Sequence, residues 1–145
     1  EGAISKGLVD RATWGQLEEA TLKLFEFYQS AARRKGIIIP DFKIEFGVAD
    51  GSLMQIDEPP THDSSRMWAA KYYRLGEKQE KHCLDKEFMR ECLRRLGFTG
   101  DGKAPELPEK VVAEVEKRCV GACGVIAGRK NIDELSLASV DEIFI

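Results

Sequence analysis

The sequence predicts an α+β fold, an antiparallel sheet bearing a β-hairpin and packed against several helices. Three observations predict it. A strictly alternating stretch, Asp41 to Gly47, runs into a turn signal at Asp50-Gly51. A long amphipathic helix with readable ends precedes it. After it come further helical patterns with no internal repeat and no βαβ series.

Thr13 followed by Gln16 forms a capping box, and Gly36 follows Arg33-Arg34-Lys35, so the first helix is bounded at both ends. Leu17, Ala20, Leu24, Tyr28 and Ala31 recur at helical spacing and should face the sheet, with Trp14 and Tyr28 in the core. Ile37-Ile38-Ile39 then starts a strand, and Pro40 limits pairing there to an edge or a bend.

From Asp41 the alternation puts Asp41, Lys43 and Glu45 on one side and Phe42, Ile44 and Phe46 on the other. A three-residue loop of Ala49, Asp50 and Gly51 would pair Phe46 with Met54, Ile44 with Ile56, and Lys43 with Asp57. A two-residue Asp50-Gly51 loop would set Asp57 opposite Ile44 on the apolar face instead. The three-residue register keeps that face dry and is the expectation, because a slip of one residue turns every side chain over. Lys43, Glu45 and Asp57 then share one polar surface. By alternation alone this could be a solvated hairpin face with a cross-strand ion pair. The loop that follows adds Asp57-Glu58 and Asp63-Ser64-Ser65-Arg66, and carboxylates suit magnesium while an arginine beside hydroxyls suits phosphate.

Beyond Trp68, Ala69 to Lys81 lacks a clear period and should be a long loop or a short helix. Lys86 to Leu96 is amphipathic, with Phe88, Met89, Cys92, Leu93 and Leu96 inward and Gly97 as its stop. Thr99 to Pro108 is linker-like, and Pro108 opens another helix with Val111, Val112, Val115 and Cys119 inward, up to Ala127-Gly128. Asn131 to Ile145 has weak signals for a short final helix. One domain over 1–145 is expected, with helix, hairpin and loop over 1–68 and a mostly helical extension over 69–145.

Composition narrows the function. With 145 residues, 43% hydrophobic and 32% charged, the chain can bury one ordinary core. A net charge of −3 gives no basic footprint for nucleic acid, and no apolar run spans a bilayer. Cys83, Cys92, Cys119 and Cys123 lack Cys-x-x-Cys spacing, so they are expected as thiols of a cytoplasmic protein and not zinc ligands. His82 is expected at the surface. The opening without Met fits an excised or processed start.

DFKIEFG, a short hairpin and IDEPPTHDSSRMW together resemble the signature of the SAICAR synthetase (phosphoribosylaminoimidazole-succinocarboxamide synthase) family of purine biosynthesis. The loop from Asp57 to Arg66 is similar to the longer family form D-E-x-H-T-P-D-S-S-R, with Pro60 and His62 where His and Pro usually stand. The segment from Glu1 to Ile37 and the run Leu84 to Arg90 are also similar to family sequence. The resemblance implies the C-terminal half of that fold, lacking the glycine-rich nucleotide loop of the N-terminal half. It implies an ATP-dependent ligase joining carboxyaminoimidazole ribotide to L-aspartate, with ATP and Mg²⁺ as cofactors and the missing N-terminal half as partner. Carried onto this sequence, Glu45 and Asp57 would hold magnesium and the nucleotide phosphates. Lys43 would contact the substrate carboxylate or the phosphoryl group in transfer. Asp63, Ser65 and Arg66 would hold the ribotide, with Arg66 on its phosphate, while Asp41 and Glu58 would orient Lys43 or brace the loop. The alternative is a non-catalytic ligand-binding or interaction module derived from the same enzyme.

Overall fold

A computed structural model describes residues 2–79 and 82–145. The order is α1 (Gly2–Ser5), α2 (Arg11–Arg33), β1 (Ile37–Ile38), β2 (Phe46–Ala49), β3 (Ser52–Gln55) and β4 (Trp68–Ala69). A 3₁₀ turn (Ala70–Tyr72), α3 (Glu87–Arg95), α4 (Glu109–Ile126), a second 3₁₀ turn (Ile132–Glu134) and α5 (Val140–Ile143) follow. The α+β class holds. The strands form two separate antiparallel pairs, β1 with β4 and β2 with β3. The opening Glu1, and Glu80 and Lys81 at the end of the expected loop, lie outside the described residues.

Helix α2 starts earlier than expected. Asp10, not Thr13, is the N-cap, and its carboxylate accepts the Thr13 N–H at 2.8 Å and the Thr13 hydroxyl at 2.7 Å. Gly36, at φ +73°, ends the helix as expected, and a side chain there would also collide with Ile132. Tyr28 and Ala32 reach the core, yet no α2 residue is fully buried and Trp14 is exposed. Trp14 is therefore corrected from core to surface.

The hairpin register is also corrected. Phe46 pairs with Gln55 and Ala49 with Ser52, so the loop has two residues, Asp50 and Gly51. Both have positive φ, +50° and +74°, the combination that a type I′ turn requires and that Asp-Gly supplies at small cost. The turn's local chemistry outweighed the dryness of the apolar face: Met54 is 51% and Ile56 64% exposed. Residues 41–45 lie outside the paired strands, apart from the Glu45 carbonyl that accepts the Ile56 N–H at 3.0 Å. From Phe42 on their burial alternates as expected, with Phe42, Ile44 and Phe46 half-buried and Lys43 and Glu45 exposed, while Asp41 is half-buried as well. Phe42 stacks on Phe25 at 5.4 Å and meets Tyr28 edge-on at 6.0 Å.

The core lies away from the hairpin. Ile37, Met67, Ala69 and Leu84 pack with Ala122 and Val125 of α4 and with Ile132 and Leu135. A second cluster gathers Cys83, Phe88, Cys92, Val111 and Val140. Helices α3 and α4 match their expected spans within two residues, but the buried face of α4 differs. Val112 is exposed, while Glu114 and Arg118 are 4% and 2% exposed. Arg118 donates to Glu114 at 3.1 Å, to the Ala138 carbonyl at 2.5 Å and to the Cys83 carbonyl, and its guanidinium lies 3.8 Å from the Phe88 ring. Glu114 also accepts the Ala138 N–H at 3.0 Å. Burial pushes the Cys83 thiol up to about 12, which keeps it neutral and inert. Cys123, by contrast, is exposed, and His82 is half-buried against the Tyr72 ring at 4.2 Å rather than free on the surface.

Glu114→Ala leaves Arg118 buried without its carboxylate. Urea unfolding is expected to show a loss of about 3–5 kcal/mol, as for other broken buried pairs. A loss near 1 kcal/mol or less, the range of exposed pairs, would mean that water reaches the site.

Candidate functional site

The loop from Asp57 to Arg66 is folded by its own side chains. Thr61 organises it: its hydroxyl accepts the N–H groups of Ser64 at 3.1 Å and Asp63 at 3.3 Å and meets the Ser64 hydroxyl at 3.0 Å. Its carbonyl accepts the Ser65 N–H at 3.0 Å, and its own N–H donates to Ser64 Oγ at 2.9 Å. Such short side-chain-to-backbone bonds fix a turn over residues 62–64 without help from a sheet. His62 sits within that turn.

Two clusters of site residues result. In the first, Lys43 bonds both Glu45 and Asp57, the latter at 3.3 Å. They meet although the register differs, because the paired strands stop at Phe46 and Gln55 and a flexible lysine bridges the remainder. Glu45, through its hydrogen bond, and then Asp57 raise the pKa of the Lys43 ammonium and hold it firmly charged. Asp57 titrates lower than an ordinary aspartate, first because it accepts the Glu58 N–H at 2.9 Å and then because of Lys43.

The second cluster lines a cavity of about 400 Å³ formed by Asp41, Phe42, Lys43, residues 63–66, Asp85, Lys86 and Arg90. Arg66 pairs with Asp41 through Nε at 2.8 Å and through Nη2, and not with Asp63. Asp63 instead meets Lys86 at 3.4 Å. Ser65 is 7% exposed, and its hydroxyl has no hydrogen-bond partner among the described residues. Glu45 and Asp57 stand outside the cavity lining, and Lys43 alone belongs to both clusters. Glu58 is exposed beyond them.

Lys86 and Arg90 also line this cavity, which the sequence reading did not anticipate. They stand four apart at the start of α3, so one helical face presents both, a spacing visible in the run Leu84 to Arg90. Asp85, between that face and the loop, was also missed. Its carboxylate is 6% exposed and accepts the Met67 N–H at 2.7 Å and the Glu87 N–H at 2.8 Å, while burial raises its pKa. For magnesium, Glu45 and Asp57 offer two hard carboxylate donors converging on one cation, which fits the ion's preference. No group of three or more metal-capable side chains forms among the described residues. No described helix is long and apolar enough to cross a membrane.

The Arg66 hydrogen bond holds the Asp41 carboxyl below its usual range. A depressed folded value means that the pair adds stability above the unfolded titration and loses it as pH falls through the folded one. The groups are exposed, so the contribution is small. Carboxyl-detected NMR titration is expected to find Asp41 below an ordinary aspartate, and Arg66→Gln is expected to move it up. An unmoved midpoint would mean that the pair does not persist in solution.

The family model for SAICAR synthetase matches residues 1–107. The phosphoribosylaminoimidazole-succinocarboxamide synthase of Maridesulfovibrio salexigens is 37% identical over 115 residues, covering 79% of this chain and 38% of its own length. Among solved structures, the SAICAR synthase of Saccharomyces cerevisiae complexed with SAICAR superposes with a TM-score of 0.77 at 31% identity, over 88% of this chain and 42% of that one. A SAICAR synthetase in complex with ADP gives 0.57 at 27% identity, over 83% of this chain and 40% of that one. The chain thus spans about two fifths of the length of these relatives. It belongs to the SAICAR synthetase family.

Proposed function

We propose that this chain supplies part of the active site of a cytoplasmic ATP-dependent ligase of purine biosynthesis. The reaction joins carboxyaminoimidazole ribotide to L-aspartate and yields SAICAR, ADP and phosphate. The observation that carries this reading is the buried, unpartnered Ser65 hydroxyl in a cavity that also gathers Arg66, Lys86 and Arg90. A buried hydroxyl without a partner costs free energy until a ligand supplies one, and three cations around it suit a phosphate monoester. The named relatives, one solved with SAICAR and one with ADP, support the choice of ligands.

In this reading the ribotide phosphate lies on Arg66, with Lys86 and Arg90 adding charge and Ser65 a hydrogen bond. Asp63 and Asp41 hold the cations in place, through Lys86 and Arg66 respectively. The ribotide carboxylate then points toward Lys43, which lines the cavity and touches both acids. A carboxylate oxygen attacks the γ-phosphorus of ATP, the bond to ADP breaks, and an acyl phosphate results. The aspartate amine attacks the acyl carbon, phosphate leaves, and the amine loses a proton. Lys43, always charged, offsets the charge on the carboxylate and the phosphoryl group as they approach. Glu45 and Asp57 would hold Mg²⁺, which when bound neutralises nucleotide phosphates and fixes their orientation. Remaining parts of the site would come from the three fifths of the relatives that this chain does not span.

Kinetics of the full-length protein test the reading. Arg66→Lys keeps the charge but loses the two-pronged geometry, so KM for the ribotide is expected to rise well above any change for ATP or L-aspartate. Equal weakening of all three substrates would make Arg66 a loop brace. Ribotide binding without turnover in the wild type would favour the non-catalytic module.

Glu45→Gln and Asp57→Asn are each expected to lower kcat on the order of a hundredfold with little change in thermal midpoint. Each would remove about 3 kcal/mol of transition-state stabilisation, by analogy with single oxyanion-hole donors. Near-normal kcat in either variant would take that carboxylate out of the metal site.

A further inference from the structure

We propose that Asp85 is a positioning residue, whose buried carboxylate ties the signature loop to α3 and so sets Arg66 at a fixed distance from Lys86 and Arg90. The inference rests on the reading of the cavity given above. Each of its two hydrogen bonds falls one residue from a cavity cation. Oδ2 accepts the N–H of Met67, which follows Arg66, and Oδ1 accepts the N–H of Glu87, which follows Lys86. The Met67 carbonyl is held as well, by the Leu84 N–H at 2.7 Å, so both backbone polar groups after Arg66 are fixed to the segment that leads into α3. A further tie between loop and helix, the Asp63–Lys86 pair at 3.4 Å, is exposed and weak.

A carboxylate suits this place for a geometric reason. It offers two acceptors and no donor, and the two N–H groups it receives belong to different segments. An asparagine has one acceptor and would turn its NH₂ toward one of these N–H groups. A serine is a good helix cap but has one oxygen, so it can serve the Glu87 N–H while leaving the Met67 N–H without its acceptor. Capping α3 would therefore not require an aspartate, whereas bridging the loop does. The carboxylate also lines the cavity and faces Arg66 and Glu87, which places a buried negative charge behind the cations that would meet the phosphate.

The test is steady-state kinetics of the full-length protein with Asp85→Ser and Asp85→Asn, each alone and combined with Arg66→Lys. Both Asp85 variants are expected to raise KM for the ribotide about tenfold or more, with KM for ATP and L-aspartate within about twofold of wild type. If Asp85 acts through Arg66, adding Asp85→Ser to Arg66→Lys raises the ribotide KM less than it does alone. A ribotide KM within about twofold of wild type in Asp85→Ser, a parallel rise for all three substrates, or full additivity with Arg66→Lys would each overturn the proposal. The single Arg66→Lys variant separates the two ideas. An unchanged ribotide KM there overturns the reading of the cavity itself, and a raised one beside an inert Asp85→Ser overturns the bridge alone.

Discussion

The buried Arg118 guanidinium is the contact on which the rest of the structure leans. It joins α4 through Glu114, the segment before α3 through the Cys83 carbonyl, the C-terminal tail through Ala138, and α3 through the Phe88 ring. Burial lowers its pKa, and Glu114 together with the Cys83 and Ala138 carbonyls offsets part of the cost of desolvating it. Fixing Cys83 fixes its neighbours. Leu84 and Asp85 follow directly and grip Met67, and Met67 follows Arg66. A continuous line of hydrogen bonds therefore runs from the centre of the helical layer to the cavity, and the loop is ordered from behind by the core as well as from within by Thr61.

Much of the fold was legible in the sequence, where one local signal decided the outcome. Gly36 and Gly97 end helices because each adopts a positive φ, and Pro108 opens α4 because its missing N–H is not needed there. The hairpin register failed where two signals disagreed. Apolar alternation favoured burying Met54 and Ile56, and Asp50-Gly51 favoured a tight turn. In this chain the turn won, leaving both side chains on an open face. Dryness is a property of the whole assembly around a strand and cannot be judged from the strand alone. A turn type is settled by its own residues.

The misses on the helical side share a different cause. Glu114 and Arg118 look like solvent-exposed i,i+4 partners, and it is the packing of the Cys83 segment, Phe88 and the tail around Ala138 that encloses them. Lys86 and Arg90 likewise look like ordinary helix charges, because nothing in their spacing says that the loop ending at Arg66 will lie opposite. Asp85 shows no periodic signal at all. Its role depends on two N–H groups, one of them 18 residues away. Within the candidate site, the residues adjacent in sequence were legible, and those brought in by tertiary packing were not.

Lys43 gives the site its internal logic. Had the three-residue turn formed, Lys43 and Asp57 would be direct cross-strand neighbours, and the lysine would be committed to that pair. With the two-residue turn, pairing ends before Lys43, and its long side chain reaches two carboxylates from an exposed position while the residue also lines the cavity. Contacts of this kind between exposed groups are weak and easily exchanged. Arg66 differs, since its fork is matched to Asp41 on one side and its backbone is anchored through Met67 on the other. Lys43 is thus held by exposed contacts alone, whereas Arg66 is held by a matched carboxylate and by a backbone fixed to the segment before α3.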